Sequence, residues 1–259
     1  MQTFTKTPHK LALIASLCKI KLAINASCKN FLLGRKACNI ADLLWKYSLM
    51  KRLQIAIASS KGGVGKSAVS IHVCYALAER GFNVVLADAD SNQSSTYWAE
   101  RADKNGHSLG FEVIDGIDEE IPEDCEILWI DTQGNPDLSE LEVLSQNMDL
   151  VILPCGVDAG EVTATLRSIQ EAKLEVKNYR ILLTRIPPNP NKRGENLHKQ
   201  FQEAGLPIFD ILVRSRVCHY DANENGLTLG QMKGKAASSG AKEYAKLADE
   251  ILNLLGEDS

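Results

Sequence analysis

Between a short apolar run, Leu53–Ser59, and a longer helical one, Ser67–Arg80, the chain reads Ser60-Lys61-Gly62-Gly63-Val64-Gly65-Lys66-Ser67. No other stretch limits the fold so tightly. The glycines let the backbone curl until its N–H groups converge on one point, and they keep side chains out of that space. A helix starting where the loop ends adds its N-terminal partial positive charge. Such a concavity suits a phosphate. Lys66 is placed to reach the β- and γ-phosphates of a nucleotide, and Ser67 to offer a hydroxyl to Mg²⁺. A glycine-rich turn followed by chance by Lys-Ser is the bland alternative, and the strand–loop–helix order argues against it.

The remaining pattern agrees with a strand placed before that loop. Val84–Ala87, Ile127–Ile130, Leu150–Leu153, Tyr179–Thr184 and Ile208–Val213 are short apolar runs that predict strands buried on both faces. Ser94–Ala102, Glu161–Leu174, Glu195–Ala204 and Ala241–Leu255 predict helices, and Gly81 closes the first helix as a C-cap. Alternation of this kind predicts an α/β fold: a mostly parallel twisted sheet with helices on both faces, built as one domain over residues 50–259.

Charge sets the first 49 residues apart. They hold eight Lys/Arg against one acid, a net of +7, whereas the other 210 residues carry −11. The basic stretch has no clear periodicity. Its expected status is a poorly ordered extension or a start-site artefact with Met50 as the true start; targeting is the third possibility. No charge-free apolar run reaches the roughly 18 residues of a membrane span. The seven cysteines form no C-x-x-C, which fits free thiols in a reducing cytoplasm and argues against a disulfide framework or zinc site. Cys74 and Cys155, within apolar runs, are expected in the core.

With Lys61 included, the loop reads K-G-G-x-G-K-[ST] and resembles the deviant Walker A motif of the ParA/MinD family of P-loop ATPases. Asp88-Ala89-Asp90, followed by Ser94 and Trp98, is similar to the D-x-D-P-Q-G-S…W segment of small ParA proteins, although Ser91-Asn92-Gln93 replace Pro-Gln-Gly. Ile127–Thr132 looks like a Walker B strand that delivers Asp131, but Gln133-Gly134-Asn135 follow where the family often has further prolines. Thr184-Arg185 and Arg214-Ser215-Arg216 fall at positions like the family's last two strand-to-loop junctions. The resemblance covers essentially all of residues 50–259.

That resemblance implies ATP and Mg²⁺ as cofactors, held by Gly62, Gly63, Val64, Gly65, Lys66 and Ser67, with Thr184 and Arg185 near the adenine. It implies Ser67, Asp88 and Asp131 around the metal and Asp90 positioning the attacking water. Lys61 would cross to the partner's nucleotide in an ATP-sandwiched homodimer. The expected activity is slow ATP hydrolysis, and the expected task is partition of plasmid or chromosome DNA with a ParB-like partner. Nonspecific DNA contacts would come from Lys192, Arg193 and Lys199, from Arg214 and Arg216, and from Lys233 and Lys235, against the −11 net charge. An ATP switch that positions a protein cluster without touching DNA is the alternative. A biosynthetic ligase of the same superfamily is disfavoured by Lys61. The C-terminal helix has a mixed-charge solvent face, so no membrane anchoring is expected.

Overall fold

A computed structural model describes residues 52–116, 120–187 and 192–257. The basic stretch 1–49, and with it the expectation of an extension or artefact, lies outside the described residues.

Among the described residues six strands form one parallel sheet: β1 (Leu53–Ser59), β2 (Val84–Ala89), β3 (Glu112–Asp115), β4 (Ile127–Gly134), β5 (Leu150–Cys155) and β6 (Tyr179–Leu183). Their order is β3-β2-β4-β1-β5-β6. The helices are α1 (Lys66–Ala78), α2 (Ser94–Lys104), α3 (Leu138–Asn147), α4 (Ala159–Glu171), α5 (Arg193–Glu203), α6 (Cys218–Asn225) and α7 (Lys235–Glu257). One core joins β-strand residues such as Ile55, Ile57 and Trp129 to α1, α2, α6 and α7 through Val73, Trp98, Ala222 and Leu247. The opposite core joins Ala56, Leu128 and Val151 to α3, α4 and α5 through Leu144, Ile169 and Phe201. Residues alternating along one strand thus feed opposite faces, as the pleat requires.

Helix α1 is buried almost all round because α7 covers the side that the sheet does not. Tyr244, Leu247, Ala248 and Ile251 of α7 are core residues, so the C-terminal apolar stripe is consumed by packing. Among the described residues no helix is long and apolar enough to cross a membrane. Cys74 and Cys155 are fully buried, as their apolar neighbours suggested.

Ile208–Val213 is not a strand of the sheet. It runs beside β6 through Ile181 N–H to Pro207 O (2.8 Å), Phe209 N–H to Ile181 O (3.0 Å) and Val213 N–H to Leu183 O (3.0 Å). A regular ladder fails because the Asp210 and Ile211 N–H groups turn away to the Glu250 carboxylate, at 2.9 and 3.0 Å. Three elements gave no clear sequence signal: β3, α3 and α6. Helix α3 is fixed locally by a capping box, in which Asp137 accepts from Glu140 N–H (2.9 Å) and Glu140 accepts from Asp137 N–H (2.8 Å).

Candidate functional site

The chemistry-bearing side chains collect at the carboxyl edge of the sheet, where open α/β folds leave a crevice. β1 ends at Ser59, and the loop to α1 turns through Gly63 (φ +76°) and Gly65 (φ +92°). Those left-handed values explain the glycines at both positions. Val64 is buried between them, and the Thr184 hydroxyl donates to its carbonyl at 2.9 Å. Thr184, expected near the adenine, therefore braces the phosphate loop itself.

Lys66 points into the crevice, its ammonium 3.9 Å from Asp90 Oδ2. Both side chains are more than nine-tenths buried. Asp90 is held by Asn92, whose backbone N–H and side-chain amide both donate to Oδ1 at 3.0 Å. Asn92 stands in the segment that departs from the family pattern, and it keeps the carboxylate aimed at Lys66.

Asp131 lies in register with Asp88 on the neighbouring strand. It is wholly buried, and burial pushes its carboxyl up to about 6, opposed by the Ser67 and Ser95 hydroxyls and the Lys66 ammonium. Ser95 Oγ donates to Oδ2 at 2.8 Å. Oδ1 is buried with no partner in hydrogen-bond geometry among the described residues. An unmet carboxylate oxygen beside a serine hydroxyl is a donor set that fits a hard cation such as Mg²⁺.

Asp88, beside Asp131 in the sheet, is held by the start of α2. Its Oδ1 accepts from Asp90 N–H (3.2 Å), and Oδ2 accepts from the N–H (2.8 Å) and hydroxyl (3.1 Å) of Thr96. Burial raises its carboxyl above the usual range against the pull of those donors. Asp88 thus fastens the β2–α2 turn, and Asp131 carries the buried oxygen without a hydrogen-bond partner among the described residues.

Beside the loop a recess of about 240 Å³ opens, lined by Gly65, Trp98, Arg185, Arg214, Arg216 and Tyr220 among others. Arg214 and Arg216 are committed within it. Arg216 Nη1 and Nη2 each meet Glu243 at 2.6 Å, and Arg214 reaches Glu243 at 3.0 Å and Glu195 at 3.3 Å. Burial raises the Glu243 carboxyl, but the arginine hydrogen bonds outweigh it and hold the group below its ordinary value. Both arginines wall the recess, and Arg214 ties α7 to α5. Lys192, Arg193, Lys199, Lys233 and Lys235 are exposed.

Arg185 sits at φ +52° and pairs with Glu161 in the first turn of α4. Lys61 is exposed, and its ammonium lies 3.2 Å from where a Cβ on Gly160 would stand. Neither the Arg185–Glu161 pair nor the Ser95–Asp131 bond was visible in the sequence. Only Ser95, one position after the motif's own serine, could have hinted at the second; the first joins residues 24 apart.

Fold and site together define a P-loop nucleotide-binding protein of the α/β class. The model of the CobQ/CobB/MinD/ParA nucleotide binding domain matches residues 55–229, more than half of the chain, and the chain belongs to that family. It is 28% identical over 204 residues to a maintenance of carboxysome distribution protein A from Gloeobacter kilaueensis, covering 76% of this chain and 93% of that protein. To the protein ParA of Rhizobium radiobacter it is 26% identical, over 72% and 89% of the two chains. In fold it resembles an McdA variant from Cyanothece in complex with ATP, with TM-score 0.58, 13% identity, and coverage of 79% and 96%.

Proposed function

We propose that this chain is an ATP-dependent, dimerising ATPase that binds duplex DNA nonspecifically and partitions a DNA cargo together with a ParB-like partner. The observation that carries the reading is the loop itself: Lys66 faces a pinned Asp90 and the buried Asp131, while a second lysine, Lys61, stands exposed on the outer side. In this reading the N–H groups from Gly62 to Ser67 and the Lys66 ammonium bind the β- and γ-phosphates. Ser67 and Asp131 hold Mg²⁺, which when bound neutralises charge on the phosphate oxygens. Asp90, with Oδ1 occupied by Asn92, presents Oδ2 to orient the attacking water. Positioning and charge supply most of such a reaction, so modest hydrolysis rates suffice for a timer.

A second reading is favoured by the relatives named for carboxysome distribution: the same switch positions a protein assembly. The −11 charge of residues 50–259 also leans that way. Duplex-DNA binding with ADP, with ATP, and with Lys61→Ala plus ATP, across a salt series, separates the two. Binding that needs ATP, weakens steeply with salt and disappears in the variant is the expected result. Absence of DNA binding at low salt would leave the ATPase and hand its cargo to a protein surface.

A further inference from the structure

Three residues of α2 are buried, Ser95, Trp98 and Ala102, at the i, i+3, i+7 spacing of one helical face. Trp98 and Ala102 are core groups, and the Trp98 indole also ties the helix to the segment after α6 by donating to Leu227 O at 3.1 Å. Ser95 is the polar member of that stripe, and it is wholly buried. Its hydroxyl donates to Asp131 Oδ2 at 2.8 Å. Its backbone is fixed as well, because the N–H groups of Ser95 and Thr96 both draw on the Asp88 carboxylate. Asp88 stands next to Asp131 in the sheet register. A closed circuit therefore runs from Asp88 on β2, through the first turn of α2, to Asp131 on β4.

We propose that Ser95 is a positioning residue for the metal: by occupying Oδ2 it holds the Asp131 carboxylate in an orientation that leaves Oδ1 for the cation. This rests on the reading of Asp131 as a Mg²⁺ carboxylate. The terminal torsion of an aspartate is broad, so a carboxylate anchored at neither oxygen samples many orientations. With Ser95 present one oxygen is satisfied, and the other, buried without a hydrogen-bond partner among the described residues, is kept for a ligand. Hydrogen-bonding groups behind a metal carboxylate govern affinity nearly as strongly as the ligand itself. The same turn serves the water-orienting carboxylate, since Asp90 N–H donates to Asp88 Oδ1 at 3.2 Å.

The affinity of the full chain for a fluorescent, non-hydrolysable ATP analogue, measured in EDTA and across a Mg²⁺ series, tests this without turnover. The gain in affinity on adding Mg²⁺ reads the protein's own hold on the cation, because the free nucleotide's affinity for Mg²⁺ is common to all variants and cancels. Ser95→Ala should cut that gain by roughly 10- to 100-fold and leave the affinity in EDTA unchanged. Ser95→Cys keeps a weak donor at the same place and should fall between the two, and it carries the test alone if the alanine variant does not fold. If both Ser95 variants keep the parent's gain while Asp131→Asn loses it, the positioning role is wrong and the metal reading stands. If Asp131→Asn also keeps the gain, the metal reading is wrong and the proposal falls with it. Equal weakening of Ser95→Ala in EDTA and in Mg²⁺ would mean that the serine shapes the crevice as a whole, which also overturns the proposal.

Discussion

Gln93 holds φ +49° at the head of α2, in the position where the small ParA pattern has glycine. Four non-glycine residues among those described have positive φ, and three of them, Gln93, Asn135 and Arg185, lie just beyond β2, β4 and β6. Strain of this kind gathers where surrounding contacts over-determine the backbone. At Gln93 the restraint is visible: its side-chain amide donates to Asp115 Oδ2 at 2.7 Å in an exposed setting. A surface hydrogen bond offsets only part of the left-handed cost, which is on the order of 1–2 kcal/mol for a side chain with a Cβ. Gln93→Gly should therefore stabilise the protein by about 0.5–1 kcal/mol, read as a higher urea midpoint at unchanged slope. A lower midpoint would mean that the Asp115 tether outweighs the strain.

Helices α1, α2, α6 and α7 converge on one buried ring cluster. The His72 centroid lies 4.7 Å from Tyr244, 5.5 Å from Trp98 and 5.6 Å from His219. His219 is closed on both sides, by Arg216 O at 3.1 Å and the Tyr244 hydroxyl at 3.1 Å. Leu229 N–H donates to His72 Nδ1 at 3.4 Å, and His72 Nε2 is buried without a hydrogen-bond partner among the described residues. Burial, then the neighbouring His219, lowers the His72 ring well below its usual value, and burial lowers His219 as well. An unfolded histidine takes its proton near 6.5 while these folded rings refuse it, so stability is present above that pH and is lost as pH falls below it. His72→Gln retains an acceptor for Leu229 N–H and removes one such ring. Between pH 7.5 and 5 the variant's stability relative to the parent should improve by about 1–2 kcal/mol in denaturant titrations. Asp131 acts with the opposite sign below about 6 but is common to both proteins and cancels. Parallel curves would show that His72 is already protonated in the fold. How legible each element was follows from the same physics. Buried parallel strands announce themselves as apolar runs, and the phosphate loop announces itself because its function needs particular residues in sequence. The Glu112–Asp115 strand has only two apolar residues, Val113 and Ile114, between acids at the sheet edge, and α7 begins six residues before its apolar stripe, at Lys235-Ala236-Ala237. Side-chain braces were illegible because they join distant positions: Thr184 and Val64 are 120 residues apart, and Ser95 and Asp131 are 36 apart.

Over the whole molecule, the question is how a body of net −11 would hold a polyanion. Many cations are already committed. Arg80 meets Asp249 at 2.6 Å, Arg216 meets Glu243 at 2.6 Å, Arg214 is shared by Glu195 and Glu243, and Lys199 lies 3.6 Å from Glu203. Lys233 and Lys235, exposed around Gly234 at the entry to α7, are two positive charges on one short turn. Nonspecific affinity depends on the phosphates neutralised and the counterions released, and the distant acidic surface enters only through a field that salt screens within about 10 Å. A small patch can thus act inside an acidic protein, and dimerisation doubles it without any new residue. For the double variant Lys233→Ala/Lys235→Ala we expect ATP-dependent duplex binding to weaken alike on all sequences. The slope of log affinity against log salt should fall by about 0.9 for every phosphate that is no longer neutralised, counted once per protomer. ATP-dependent dimerisation should be untouched, because these lysines lie outside the phosphate crevice. An unchanged slope would remove this turn from the DNA surface and leave Lys192 and Arg193, at the start of α5, as the next pair to neutralise.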